Sequence, residues 1–177
     1  MNAIKLALGS YDERILIAFL TRRRHTADIF MRLVTKLGNA AVIIPITLST
    51  AFGLVPGPSE LATAGRLAAW SLAISHLLAQ ILKRMVGRKR PDLPAGLDRL
   101  IVPEDRFSFP SGHATAGLSV ALPVMLVLSW PIAAVVLGVG VLIGISRCYL
   151  GVHYPGDVLV GWALATCTVF SVQGVLL

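Results

Sequence analysis

The chain has 177 residues, of which 55% are hydrophobic and 14% are charged. Soluble domains carry about 25% charged residues, so this composition excludes an ordinary soluble domain and predicts an integral membrane protein. The net charge of +7 is compatible with nucleic acid or anionic lipid as a partner. Because the basic residues cluster at the ends of apolar segments, we expect a bilayer and no nucleic acid. We expect one domain spanning residues 1–177.

The N-terminal part has the pattern of a short amphipathic helix over residues 10–24. Ser10 and Glu13 form a capping-box pattern, and apolar side chains follow on one face. An arginine triplet at 22–24 closes the segment. This composition favours a helix lying in the membrane interface, with the arginine triplet anchored to lipid headgroups.

Five apolar segments follow, each with the length or periodicity of a membrane helix. The first is interrupted by Gly38 and Asn39. Since all strong signals are helical, the sequence predicts an all-α, polytopic membrane helix bundle. It has about five transmembrane helices plus the N-terminal interfacial helix. The segments cover residues 27–55, 60–84, 111–130, 131–149 and 155–176.

One face of the second segment is polar, because His76, Gln80 and Lys83 recur at helical spacing. A histidine inside a membrane segment is a functional candidate. We expect His76 and Gln80 to support a neighbouring site or to bridge helices.

Two glycines in the fourth segment, Gly140 and Gly144, have the small-xxx-small spacing that allows close contact between helices. Plain flexibility is the alternative interpretation.

The most informative stretch, residues 146–157, joins the last two segments and carries Arg147, His153 and Asp157. Ionisable groups this close to hydrocarbon are costly and usually functional. If a helix begins near Pro155, the Asp157 carboxylate lies in its first turn and reaches back to the His153 ring. The other ring nitrogen then keeps a lone pair for attack, which suggests a covalent phosphohistidine. A loop with a capping Asp and an ordinary interface His is the alternative.

The third segment opens with Pro110, Ser111, Gly112 and His113. Ser111 is a natural N-cap, and the free N–H groups of the first turn form a cradle for an anion. Gly112 lets the backbone approach a phosphate oxygen, and His113 is placed to give a proton to a leaving oxygen. A simple Ser cap with an interfacial His is the alternative.

Three cations, Lys83, Arg90 and Arg147, fall on the same membrane face as both histidines if the segments cross in alternating directions. Without acidic partners these cations repel one another, so they imply an anion between them. A transferring phosphoryl group fits, because its negative charge is spread over three oxygens. Headgroup contact is the alternative, and it is the expected environment of Arg88.

The three motifs are Lys-x6-Arg-Pro, Pro-Ser-Gly-His and Ser-Arg-x5-His-x3-Asp, and together they occupy residues 83–157. In this order and spacing they resemble the phosphatidic acid phosphatase type 2 superfamily. No signature position departs from the family pattern, and the first 60 residues carry no motif.

The resemblance implies a metal-independent lipid phosphatase with no cofactor and no metal site. In that family the residue matching His153 attacks phosphorus, the one matching Asp157 orients it, and the one matching His113 protonates the leaving group. Vanadium haloperoxidases share the motifs but are soluble, and the apolar segments argue against them. The residues matching Lys83, Arg90, Ser111, Gly112 and Arg147 bind the phosphate.

The sequence therefore predicts a membrane enzyme that hydrolyses a phosphomonoester or diphosphate lipid, such as undecaprenyl diphosphate, phosphatidic acid or phosphatidylglycerophosphate. A phosphotransferase using the same phosphohistidine is one alternative, and a non-enzymatic anionic-lipid binder or transporter is another. Resemblance to compact bacterial members implies a bacterial plasma membrane with an extracytoplasmic active site, whereas the positive-inside rule favours the cytoplasmic side. The oligomeric state stays open.

Overall fold

The computed structural model describes residues 2–176, and within that range it contains seven helices and no strand. This confirms the all-α prediction. The helices are α1 (Asn2–Leu20), α2 (His25–Leu37), α3 (Ala40–Ala51), α4 (Leu61–Val86), α5 (Gly112–Met125), α6 (Trp130–Tyr149) and α7 (Pro155–Leu176).

Among the described residues, α6 and α7 are long and apolar enough to cross a membrane. The pair α2 and α3 also qualifies as one broken span, bent by 52° at the predicted Gly38-Asn39 interruption. The longest helix, α4, has 26 residues, but its last turn carries Lys83 and Arg84. The count of about five crossings stays a prediction, while the membrane character of the bundle rests on these apolar helices.

The N-terminal helix α1 is longer than expected and begins well before Ser10, so the predicted capping box does not start it. Its side chains Leu16 and Leu20 are each only 2% exposed. They pack in one cluster with Cys148 at the end of α6 and Val158 at the start of α7. The helix is therefore fastened to the end of the bundle at which α6 ends and α7 begins.

Arg23, in the link between α1 and α2, does not extend into headgroups as expected for the arginine triplet. Its Nε and Nη2 donate to the Tyr149 carbonyl at 2.9 and 2.6 Å, and its Nη1 donates to the Asp98 carbonyl at 2.6 Å. These bonds attach the link to the last residue of α6.

The close-contact role of Gly140 and Gly144 is confirmed. A Cβ added at Gly140 would lie 2.7 Å from the Ala121 Cβ on α5, and one at Gly144 would lie 2.6 Å from the Trp162 Nε1 on α7. Helix α6 thus contacts α5 and α7 at distances that only glycine permits.

Helix α5 is the central element, because nine of its 14 residues are buried. On one side it is joined to α4 by a buried hydrogen bond of 2.8 Å between Ser75 and Ser119. At its N-terminus, the Ser111 N–H donates to the Asp157 carbonyl of α7 at 3.0 Å. The start of α5 therefore meets the start of α7, which Arg88 of the polar loop that follows α4 also contacts.

Candidate active site

The N-terminus of α5 is capped as the sequence predicts. The Ser111 hydroxyl accepts from the Ala114 N–H at 3.5 Å, and Ser111 itself is fully buried. A Cβ added at Gly112 would meet no atom within 4 Å, so the space next to the first turn is open. Exposed N–H groups at this turn, together with the helix dipole, suit an anion.

The His153 ring is oriented by Arg90. The Arg90 Nη1 lies 3.1 Å from His153 Nε2 and also donates to the Val152 carbonyl at 2.7 Å. A guanidinium has only donors, so Nε2 must accept and carries the lone pair, while Nδ1 carries the proton. The ring lies in the turn between α6 and α7, and its burial, with Arg147 and Arg90 nearby, lowers the pKa of His153 to about 4 despite Asp157.

Asp157 lies behind this ring, as the i, i+4 spacing predicted. Its Oδ2 is 3.6 Å from His153 Nδ1, which is longer than a hydrogen bond and leaves Nδ1 without a partner among the described residues. The same oxygen accepts from the Tyr154 N–H at 2.9 Å, and the residue is fully buried. The carboxylate is thus held beside the imidazole and must move slightly closer to form a hydrogen bond with it.

Arg88 binds the other Asp157 oxygen, which corrects the expectation that it contacts lipid headgroups. Its Nη1 donates to Asp157 Oδ1 and its Nη2 to Asp12 Oδ2, both at 2.8 Å. The guanidinium also stacks 4.0 Å from the centre of the Tyr154 ring. Asp12 in turn accepts from the Gly156 N–H at 2.8 Å. A residue of α1 therefore caps α7 and supports the arginine that holds Asp157.

His113 faces two oxygen acceptors that the sequence did not predict. Its Nε2 lies 2.6 Å from Asn39 Oδ1 and 3.4 Å from Glu104 Oε1. Since both neighbours are acceptors, Nε2 carries the proton. A Cβ added at Gly38 would lie 2.9 Å from the His113 ring, so the bend between α2 and α3 passes directly against it. The interruption at Gly38-Asn39 was the only sequence signal for this contact.

Lys83 and Arg90 share an acidic partner, Asp105, contrary to the expectation of three unpaired cations. Lys83 Nζ pairs with Asp105 Oδ2, and Arg90 Nη2 donates to Asp105 Oδ1 at 2.9 Å. Burial raises the pKa of Asp105, but the hydrogen bond and charge of Lys83 and the charge of Arg90 outweigh it, so the pKa lies below its usual value. The Asp105 carboxylate is thus ionised between the two cations.

Arg147 matches the expectation of a cation without an acidic partner better than Lys83 and Arg90 do. It is 2% exposed, and it makes no salt bridge among the residues that the structure describes. Its Nη1 donates to the Thr35 hydroxyl of α2 at 2.8 Å, and its Nε is buried without a partner in the described range. A buried guanidinium with an unused N–H requires an acceptor, and a phosphate oxygen would provide one.

These groups surround a cavity of about 370 Å³. Ser111 caps the helix that borders the cavity, and Asp157 lies behind His153 instead of lining it. The tertiary structure therefore brings all the predicted site residues to one end of the bundle. The predicted residues that line the cavity are Lys83, Arg90, Gly112, His113, Arg147 and His153.

Comparison with known proteins indicates the same class of protein as the sequence motifs do. The family model described as the PAP2 superfamily matches residues 64–175. Phosphatidylglycerophosphatase B of Bacillus subtilis (strain 168) is 32% identical over 178 residues, which cover 95% of this chain and 84% of that protein. An undecaprenyl-diphosphatase of Sulfolobus acidocaldarius is 36% identical over 107 residues, which cover 58% of this chain and 51% of that protein.

The fold is also similar to a solved structure, that of the transmembrane PAP2-type phosphatidylglycerolphosphate phosphatase from Bacillus subtilis. The TM-score is 0.77 at 30% sequence identity, over 95% of this chain and 85% of the other. The helical fold and the relatives together define this protein as an integral membrane hydrolase of lipid phosphates. More particularly, the chain belongs to the PAP2 superfamily.

Proposed function

We propose that this protein hydrolyses a lipid phosphomonoester or diphosphate through a phosphohistidine at His153. One observation carries the proposal: His153 lines a cation-lined cavity with its Nε2 accepting from Arg90, while Asp157 lies on the Nδ1 side. An imidazole with this tautomer presents a nucleophile on one side and places its developing positive charge beside a carboxylate on the other.

In the first step, the Arg90 Nη1–H turns from His153 Nε2 to a phosphoryl oxygen, Nε2 bonds to phosphorus, and the bond between phosphorus and the lipid oxygen breaks. The leaving oxygen takes a proton from His113, which is an imidazolium when the anionic substrate is bound and whose Nε2–H points to Asn39. The ring of His153 becomes cationic, and the Asp157 carboxylate stabilises it across the present gap of 3.6 Å. General acid catalysis of this kind accelerates the catalysed step about 10²–10⁴-fold.

Charge on the three phosphoryl oxygens is balanced by Lys83, Arg90, Arg147 and the first turn of α5, which begins at Gly112. Arg147 supplies its unpaired Nε–H, and Lys83 is almost fully buried, so both act where water screens little. Asp105 offsets part of the positive charge before the substrate arrives, which keeps the two cations it binds in place.

In the second step, water attacks the phosphohistidine and the bond between phosphorus and Nε2 breaks. His113, left neutral by the first step, accepts the proton of the attacking water, and inorganic phosphate leaves. The same histidine therefore acts first as an acid and then as a base, as microscopic reversibility allows.

The substrates proposed are undecaprenyl diphosphate, phosphatidic acid and phosphatidylglycerophosphate. The relatives named above act on two of these classes, which supports a lipid phosphate without selecting one. We also propose that residues 1–177 form one catalytic domain in a bacterial plasma membrane with the site on the extracytoplasmic side. With five crossings the C-terminus lies opposite the site, so reporter fusions at Leu177 test the orientation.

The activity test measures phosphate release from these lipids in detergent with EDTA present. We expect turnover by the wild type and none above background by His153→Ala. His25→Ala is the matched control, since His25 is exposed at the start of α2 and lines no part of the cavity. Rapid quenching at alkaline pH would trap an acid-labile phosphoprotein in the wild type. Full turnover by His153→Ala would refute the mechanism.

A further inference from the structure

The cavity extends from the cations along one face of α4, and its polarity falls step by step. Lys83 lines the charged end, Gln80 and His76 line the middle, and Ala73 and Ala69 line the far end. At about 1.5 Å of rise per residue, Gln80 lies about 5 Å and His76 about 10 Å from Lys83 along the helix axis. A polar zone therefore separates the phosphate site from the apolar end.

The opposite wall gives this polar pair no partner. It is formed by α3 with Ile43, Ile44, Thr47 and Leu48. The Thr47 hydroxyl donates to the carbonyl of Ile43 in its own helix at 2.7 Å. Ile44 and Leu48 are 45% and 43% exposed, so this side of the cavity opens toward the bilayer.

His76 and Gln80 satisfy each other only in part. Their Nε2 atoms lie 3.2 Å apart, and neither side chain makes another hydrogen bond among the described residues. The amide nitrogen can only donate, so it donates to the ring, which leaves the His76 Nδ1–H as a donor and the Gln80 oxygen as an acceptor. His76 is exposed and Gln80 is half-buried where they line the cavity, so the free donor and the free acceptor are accessible to a ligand.

We propose, on the basis of the function proposed above, that His76 and Gln80 bind the polar part of the leaving group. The substrate class is then a lipid phosphate whose leaving group carries oxygen atoms for about 10 Å beyond the scissile phosphorus, such as a glycerol with ester or phosphodiester groups. In a prenyl diphosphate the second phosphate reaches Gln80, but hydrocarbon lies against His76. A bare chain satisfies neither residue.

The cavity volume suits a substrate whose phosphate and polar linker lie inside the cavity and whose hydrocarbon chains lie outside it. A volume of about 370 Å³ lies at the lower end for ligand pockets, which suits a phosphate and a linker. The hydrocarbon chains leave through the side that opens between α3 and α4.

The test compares His76→Leu, Gln80→Leu and the double variant with wild type. The substrates are phosphatidylglycerophosphate and dodecyl phosphate, a bare-chain monoester, in the same detergent. We expect kcat/KM for the glycerolipid to fall roughly tenfold in the double variant, since hydrogen bonds are lost, while dodecyl phosphate turnover is unchanged or rises. Thr47→Val is the matched control, because it removes a polar group of the same groove that is bonded within its own helix.

Two results would overturn the inference. One is a wild type that hydrolyses both substrates equally well, and the other is a double variant in which the ratio of the two kcat/KM values is unchanged, whether both values stay the same or both fall equally. Equal melting temperatures of the variants exclude a folding defect. Failure of the wild type to release phosphate from any lipid would reject the proposed function itself, so the two failures are distinct.

Discussion

The Arg88 guanidinium donates to the Asp157 carboxylate at 2.8 Å, and this ion pair fixes the residue behind His153. Asp157 is fully buried, whereas the Arg88 side chain is 28% exposed. A buried carboxylate needs such a partner to stay ionised. Because Arg88 also binds Asp12 of α1, the N-terminal helix is connected to the end of the bundle that holds the candidate site through two salt bridges.

Replacing Arg88 tests this connection. In Arg88→Leu we expect kcat to fall about ten- to a hundredfold with little change in KM, since a charged hydrogen bond to Asp157 is lost. Arg88→Lys should retain part of the activity. Lys89→Leu is the control, because Lys89 forms no salt bridge among the described residues. A change in KM alone would contradict a positioning role.

Asp12→Asn is expected to have a smaller effect on kcat than Arg88→Leu. It removes one charge from Arg88 but keeps an oxygen that can accept from the Gly156 N–H, 2.8 Å away in the wild type. The measurement is kcat together with the melting temperature in detergent. Wild-type values in both Asp12→Asn and Asp12→Ala would show that the contact between Asp12 and Arg88 has no influence on the site.

Asn39→Leu removes the acceptor that orients His113. We expect kcat for a lipid alkyl phosphate to fall about tenfold or more, because the proton of His113 is no longer directed. An activated aryl phosphate, whose leaving group needs no proton, should be much less affected. Gly38→Ala should act similarly, because its Cβ would lie 2.9 Å from the His113 ring. Equal losses with both leaving groups would contradict the assignment of His113 as the acid.

Asp105→Asn leaves Lys83 and Arg90 without their shared anion. Lys83 is only 6% exposed, so we expect a lower melting temperature. Inorganic phosphate or vanadate should then stabilise this variant more than the wild type, because the ligand replaces the missing charge. Asp92→Asn is the control, since Asp92 is exposed and makes no salt bridge in the described range. Equal stabilisation of both proteins by phosphate would refute this prediction.

The pKa of His153 predicts a pH dependence of stability. Burial lowers this pKa from 6.5 to about 4, so between these values the unfolded chain binds more protons than the folded one. The free energy of unfolding should therefore decrease as pH falls from 6.5 to 4. Histidine NMR of labelled protein measures the titration directly, with His153→Gln to assign the signal. Titration of that signal between pH 6 and 7 would contradict the burial argument.

Two glycines of α6 give a matched test of packing. Gly140→Ala places a Cβ 2.7 Å from the Ala121 Cβ, whereas a Cβ at Gly138 meets nothing within 4 Å. We expect Gly140→Ala to lower the melting temperature and Gly138→Ala to leave it unchanged or raise it slightly, since Ala is the better helix former. The same melting temperature for both variants would show that the contact between α5 and α6 adapts freely.

Much of the site was predictable because its signals are local. Ser111 caps α5 through a residue three positions away, and Asp157 stands one helical turn after His153. Apolar stretches ending in charged residues predicted the helices, and the close contact at Gly140 followed from residue size alone. The boundary of α1 was wrong, because a Ser and a Glu at the right spacing occur inside the helix as readily as at its start.

The sequence by itself determined the helical class, the three motifs and the motif residues that line the cavity, since helix periodicity and motif spacing depend on neighbours within a few positions. Only the tertiary structure decided how those residues are held. Arg88 meets Asp12 across 76 positions, His113 meets Asn39 across 74, and Asp105 meets Lys83 across 22. No periodicity connects such pairs, because hydrogen bonds between distant residues exist only after the helices have packed.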